Sequence, residues 1–354
     1  MKQLTRWFTF IVVVAVSCFW VSSSMGADKI RVRILGGFGN QVQSTMIERP
    51  FWEELAKETA DKLDIQFHTR DELGLKGYDD LRKLKSGVFD IVCIDPAYVS
   101  GDDLFWDGMN LIGLAPDLQT GREVMESMRA AGNERLKKLW NGMLIFTWTN
   151  ATQVYYFKDK LKGVADFKGR KIRVFSRATA NVVEYFGAKA VTLPFPEVYP
   201  ALQRGVIEAG VTGILTGNTA RWWEVTNYLY PMAMGQGAMF HTANLNFWNK
   251  LDPDMQKFLT KRFKEVEEKF WKYGFEFYQQ GINCNTGKGP CKLGVKGNMT
   301  LVPVTPEDQE KMKECGRNVV LPEWAKIANN VDPNIVQIWN QTAGKVLDIQ
   351  YTRD

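Results

Sequence analysis

Apolar positions in this chain recur with two alternating periods. Short apolar or β-branched runs at 30–35, 63–68 and 89–94 predict strands, and the stretches 50–62 and 78–85 between them carry the spacing of an amphipathic helix. Gly87 stops the second of these helices. A helix over 123–140 and a strand over 143–148 follow, and near Asn150 the chain crosses to a second lobe. There the alternation resumes: strand 171–175, helix 178–186 stopped by Gly187, a short apolar run at 190–193, helix 197–204 ended by Gly205, and strand 206–211. A strand at 226–230 precedes an extended stretch, 238–247, that crosses back. Alternating strands and helices predict parallel sheets, which hold ligands beyond the carboxyl ends of their strands. Asp252 is a good N-cap and Pro253 suits a first helical turn. Met255, Leu259, Val266, Phe270, Tyr273 and Phe277 then recur at helical spacing to about Gln279. At about 1.5 Å per residue that helix is roughly 42 Å long, more than one lobe is wide. Two shorter helical patterns, 306–313 and 334–347, close the chain, and there is no internal repeat or low-complexity tract.

The chain has 354 residues, with 45 Lys and Arg against 40 Asp and Glu. Lys2 and Arg6 precede an apolar run at 7–21 and small residues at 22–27, so 1–26 reads as a secretory signal cleaved near Gly26 or Ala27. The run is shorter than the ~20 residues of a spanning helix. Its removal leaves 43 − 40 = +3 of net charge on 354 − 26 = 328 residues. That is enough chain for two domains and too mild a charge for a nucleic-acid partner. Export to an oxidising compartment also bears on the cysteines. Cys284 and Cys291 flank the turn-rich spacer NTGKGP and predict a local disulfide, with two free thiols as the alternative. Cys93 falls in an apolar strand, and Cys315 has no evident partner.

Catalytic signatures are missing from the sequence, and its two histidines, His68 and His241, are far apart. Asp102 and Asp103 are adjacent acids whose side chains are expected to diverge in a solvated loop. The expectation is a binding protein, not an enzyme, with no cofactor and no metal. The loop Gly36-Gly37-Phe38-Gly39-Asn40 lacks the third glycine of a dinucleotide fingerprint and reads as a first strand-to-helix loop facing the cleft, which brings Phe38 forward. Tyr98 and Trp148 stand near strand ends, where aromatic rings suit an organic ligand, although tryptophans also fill cores. Asn218 reads as a helix N-cap, a cleft residue, or both. Arg173 sits inside a strand, a costly place unless a carboxylate meets it. Glu184 or Glu197 could be that carboxylate; so could a ligand.

Residues 167–217 resemble the solute-binding proteins of tripartite ATP-independent periplasmic transporters. The shared pattern is Lys171-Ile172-Arg173-Val174, then Gly187-Ala188, then Pro194-Phe195 through Val206 in the order P-F-x-E-V-Y-x-A-L-Q-x-G-V. The resemblance extends more weakly to nearly all of the mature chain. It implies an α/β, periplasmic binding protein-like (type II-like) fold: two α/β lobes, a ligand cleft between them and a long helix spanning both. The implied division is 27–150 with 239–278, 151–238 with 279–330, and 331–354 as a C-terminal helix. It also implies that Arg173 binds a ligand carboxylate and that Phe195 packs against the ligand, where the residues alone leave a core phenylalanine open. Gln153 stands where some members have a second arginine, which argues against a second anionic contact. Thr212 replaces a frequent asparagine and keeps a hydrogen bond; Val211 replaces a metal-holding acid. The expected partners are a small organic acid with at least one carboxylate, tilted toward a monocarboxylate with an apolar or aromatic body, and integral membrane permease subunits; the chain itself is expected to be a monomer. An extracytoplasmic enzyme or a sensory ligand-binding subunit on the same fold is the alternative.

Overall fold

Most of the β-branched runs become strands, and the way they pair shows how the molecule is divided. The computed structural model describes residues 29–352; the expected signal segment, 1–26, lies outside the described residues. In chain order the strands are β1 (Ile30–Leu35), β2 (Leu63–His68), β3 (Ile91–Ile94), β4 (Gly142–Phe157), β5 (Lys171–Val174), β6 (Lys189–Thr192), β7 (Ala209–Gly213), β8 (Tyr228–Tyr230), β9 (Gln236–Asn244) and β10 (Thr300–Leu301). They lie in the order β2-β1-β3-β9-β4-β7-β5-β6, with β8 against β4 and β10 at its side. β1, β2 and β3 are parallel to one another, as are β5, β6 and β7. Each parallel group is completed by an antiparallel strand running between the halves.

β4 is that connection, and it is longer than the 143–148 expected. Through Thr149 it pairs with β9; from Gln153 to Phe157 it pairs with β7. The register shifts between Thr149 and Thr152, and Ala151 adopts a left-handed φ of 65°. The sequence Thr147-Trp148-Thr149-Asn150-Ala151-Thr152-Gln153 is rich in polar groups and breaks strict alternation. It reads as a strand end, yet it continues as a kinked strand.

The long helix, Pro253–Thr286, overruns its expected end near Gln279. Gly281 looks like a stop but stays helical because it allows close packing: a Cβ there would stand 2.7 Å from Ile214. The helix ends at Gly287, whose φ of 68° suits a left-handed cap. Its 34 residues span roughly 51 Å. Phe263 packs near Phe51 of the first half, Phe270 stacks on Trp148, and Gly281 reaches Ile214 of the second. At the C-terminus, Leu321–Val331 is a helix the sequence hid, because Pro322 reads as a breaker while serving in a first turn. The pattern at 334–347 breaks at Thr342 into Asn334–Gln341 and Ala343–Leu347. Trp324 and Trp339 donate to the carbonyls of Leu104 and Gly108, fastening these helices to the first half.

Candidate functional site

Five strands and one kink bring side chains to one cavity. After β1, Gly37 N–H donates to both oxygens of Glu48, at 3.1 and 3.0 Å, and Gly37 carbonyl accepts from Arg70 N–H at 3.0 Å. This holds Phe38 over the cleft. After β3, Asp95 and Tyr98 face the same space, Tyr98 stacked on Tyr78 at 4.8 Å. β5 supplies Arg173, β7 supplies Thr212, and Phe195 follows β6. The kink in β4 turns Asn150 and Gln153 to the wall. Of the residues singled out from sequence, Arg173, Gln153, Phe195, Thr212, Phe38 and Tyr98 border one cavity.

Trp148 and Asn218 do not. Trp148 is fully buried behind the wall, stacked on Phe270 at 4.7 Å, and donates from Nε1 to His241 Nδ1 at 3.1 Å. His241 Nε2 in turn meets Glu48 at 2.8 Å, so the indole buttresses the Phe38 loop from behind. Asn218 lies within the helix Ile214–Thr219, whose N-cap is Gly213. Its amide pairs with the backbone of Val295 in both directions at 2.8 Å, anchoring that segment. Glu48, Cys93 and His241 lie close enough to suggest a metal, but both ring nitrogens and both carboxylate oxygens already have partners. Burial holds the Cys93 thiol well above its ordinary range and pulls the imidazole pKa of His241 down.

Arg173 is 1% exposed. Nε donates to the Leu193 carbonyl at 2.9 Å, Nη1 to the Val211 carbonyl at 2.7 Å, and Nη2 approaches Tyr98 Oη at 3.4 Å. Phe175 and Trp222 lie within 5.2 and 6.0 Å of its guanidinium carbon. Among the described residues no carboxylate forms an ion pair with it: Glu197 is taken by Lys76 at 2.6 Å, and Glu184 makes no ion pair. Burial depresses its pKa, offset by Tyr98, Tyr78 and Asp95. A buried guanidinium held only by neutral acceptors is a seat for an anion.

Sequence reasoning missed Arg70, Asp95 and Asn150. Arg70 is fully enclosed and committed to Asp80, with Nε at 2.9 Å and Nη2 at 2.6 Å, and to the Cys93 carbonyl. Burial opposes its charge, but Asp80 and Cys93 outweigh that and raise its pKa. Both Arg70 and Asp95 follow strands at their carboxyl ends, the placement that singled out Phe38 and Tyr98. Asn150 is 8% exposed, and its Oδ1 is buried without a partner among the described residues.

Contacts run directly between the halves at this cavity: Phe38 against Phe195 at 5.5 Å, Tyr98 against Arg173, and Lys76 against Glu197. Elsewhere, Cys284 and Cys291 are joined, their Cα atoms 4.9 Å apart, while Cys93 and Cys315 are free and buried. Asp102 and Asp103 diverge as expected, but Asp103 is buried rather than solvated, held by Arg135 at 2.7 Å, and Asp102 meets Arg82 at 3.2 Å.

The family model described as bacterial extracellular solute-binding protein, family 7, matches residues 40–327. A sialic acid-binding periplasmic protein of Vibrio cholerae is 31% identical over 156 residues, 43% of this chain and 48% of that protein. In three dimensions the chain is similar to an extracytoplasmic solute receptor of Bordetella pertussis binding pyroglutamic acid, with TM-score 0.76 at 20% identity over 87% of this chain and 99% of the other. It is also similar to a periplasmic solute-binding protein of Desulfovibrio salexigens with bound orotic acid, with TM-score 0.77 at 18% identity over 90% and 100%. Identities this low show a shared fold, the two-lobed α/β architecture with a cleft between the lobes.

Proposed function

The chain belongs to the bacterial extracellular solute-binding proteins of family 7, and from that premise we propose that it captures a small organic acid through Arg173 for the permease of a tripartite ATP-independent transporter. The observation that carries the reading is the buried guanidinium of Arg173, bonded to two carbonyls and a phenol, paired with no carboxylate among the described residues, and open to a cavity bordered by aromatic rings. Pyroglutamic acid, orotic acid, galacturonate and succinate, the compounds bound in solved structures of this fold, all carry a carboxylate. Phe38, Phe195 and Tyr98 enclose the ligand body; Gln153 and Thr212 add neutral hydrogen bonds. Neutral Gln153 favours a single ligand carboxylate.

The moving units are 27–150 with 239–278 and 151–238 with 279–330, except that the helix Leu321–Val331 travels with the first half through Trp324, and they hinge at the Asn150–Ala151 kink and the start of β9. The chain acts as a monomer after cleavage near Gly26 or Ala27, a mass and a size that intact mass spectrometry and size-exclusion chromatography check. The binding test is calorimetry with organic acids on Arg173→Lys and Arg173→Ala. Loss of the forked geometry, or of the charge, should weaken binding by about 2–5 kcal/mol, roughly 30- to several-thousand-fold. Arg173 also ties the carbonyls of Leu193 and Val211, so the alanine variant melts somewhat lower without ligand. Unchanged affinity in both variants would make Arg173 a structural residue and end the carboxylate reading.

A further inference from the structure

Asp95 is the other unpaired charge on the cavity wall. It begins the turn after β3 and is partly open to the cavity. One of its oxygens accepts the Ala97 amide at 2.9 Å. Among the described residues it makes no ion pair. Arg70 borders the same cavity, but its guanidinium is spent on Asp80 and the Cys93 carbonyl. The wall therefore presents a cation without a counter-ion, Arg173, and an anion without a counter-ion, Asp95, which do not pair with each other.

A ligand carboxylate seated on Arg173 decides what Asp95 can tolerate. A second ligand carboxylate would bring like charges together inside a cleft that excludes water, where their repulsion is strongest. A hydroxyl or an amide N–H makes a charge-assisted hydrogen bond to Asp95, but each leaves two negative charges against one free guanidinium. A protonated amine makes the same bond and also balances the site. In the ligand-free cleft burial pushes the Asp95 carboxyl up to about 6, so at neutral pH it meets an arriving ligand mostly ionised, as an acceptor. Asn150 adds a second acceptor: its Oδ1, buried on the same wall, has no partner among the described residues.

We propose that the ligand is a monocarboxylate bearing a hydrogen-bond donor, foremost a protonated amine, that Asp95 receives this group, and that Asp95 excludes dicarboxylates. This rests on the reading that a carboxylate occupies Arg173. The test is calorimetry on the mature chain with matched acids. Proline and pyroglutamate are each compared with the analogue in which ring oxygen replaces ring nitrogen, and succinate represents the dicarboxylates.

A nitrogen acid should bind roughly ten- to hundred-fold tighter than its oxygen analogue, the range of a hydrogen bond to a charged group. Preference for proline assigns an ammonium ligand; preference for pyroglutamate assigns a lactam. Asp95→Asn keeps the side-chain volume and removes the charge, so it should shrink the preference and improve succinate binding. Oxygen analogues or succinate binding as tightly as the nitrogen acids, with Arg173 still required, would overturn the role of Asp95 and leave the carboxylate reading standing. Failure of every acid, or binding indifferent to Arg173→Ala, would bring down both.

Discussion

Burial is the main reason the Asp95 carboxyl sits near 6, above its ordinary value; the Ala97 amide and the Arg70 and Arg173 guanidinium groups pull it down, and Asp80 pushes it up. Tyr78 and Tyr98 also face it. A carboxyl raised in the folded state favours folding below its ordinary range, and that benefit fades as pH climbs through about 6. Ionised Asp95 therefore burdens the ligand-free protein at neutral pH. Asp95→Asn should unfold at higher temperature than the parent near pH 7.5, by the equivalent of up to about 3 kcal/mol, and lose the advantage near pH 4. Calorimetric melting across that range checks it; a difference independent of pH would trace to packing instead. The two charges of the cleft were unequally legible. Arg173 stood out because a strand interior is the wrong place for an unpaired arginine, and because its neighbours carry a motif. Arg70 and Asp95 look like ordinary polar residues just past apolar strands. Only the parallel register of β1, β2 and β3 gathers them at one wall. Trp148 misled for the opposite reason: proximity to a strand end does not say which face a side chain takes.

Elements whose signals are local were read well, and those shaped by tertiary contact were not. The long helix announced its start through Asp252 and Pro253, yet its end lies beyond Gly281 because Ile214 packs there. β4 was seen only in part because its second half owes its extension to β7 and β8. The Cys284–Cys291 bond was legible from the spacing, the turn-rich spacer and the export signal together. It closes a loop just past the helix, where Gly297 N–H also returns to the Cys284 carbonyl at 2.7 Å and Asn218 grips Val295. Replacing both cysteines by serine should lower unfolding stability by on the order of 2–3 kcal/mol, because the closed loop is short. Affinity should hold, since none of this loop borders the cavity. Denaturant titration beside ligand calorimetry checks both; a matching loss of affinity would tie the loop to the cleft.

At the scale of the molecule, the crossings of β4 and β9, the spanning helix and the C-terminal helices fastened by Trp324 and Trp339 join halves that otherwise meet across the cleft. The Lys76–Glu197 pair there is exposed, 61% and 45%, so it contributes little to holding the halves together. Aromatic contact does more: Phe38 meets Phe195, and Tyr98 lies against Phe175 at 6.2 Å. These rings come from opposite halves, so a ligand between them is held by the same surfaces that close the cleft, the arrangement expected of a hinge-closing receptor.

Trp222 stands where that event can be seen. It is 1% exposed, stacks on Phe195 at 5.7 Å, and lies 6.0 Å from the Arg173 guanidinium. Indole emission responds to nearby charge, and an anion arriving at Arg173 changes the field at this ring. The protein thus carries an optical probe beside Arg173, and titration with an organic acid should shift the fluorescence of a mature chain with 12 − 2 = 10 tryptophans chiefly through one of them. Trp222→Phe should remove most of that spectral change while holding affinity within about three-fold, since one aromatic ring replaces another. A full shift surviving the substitution would place the reporting indole elsewhere, with Trp148 behind the Phe38 loop the first to test.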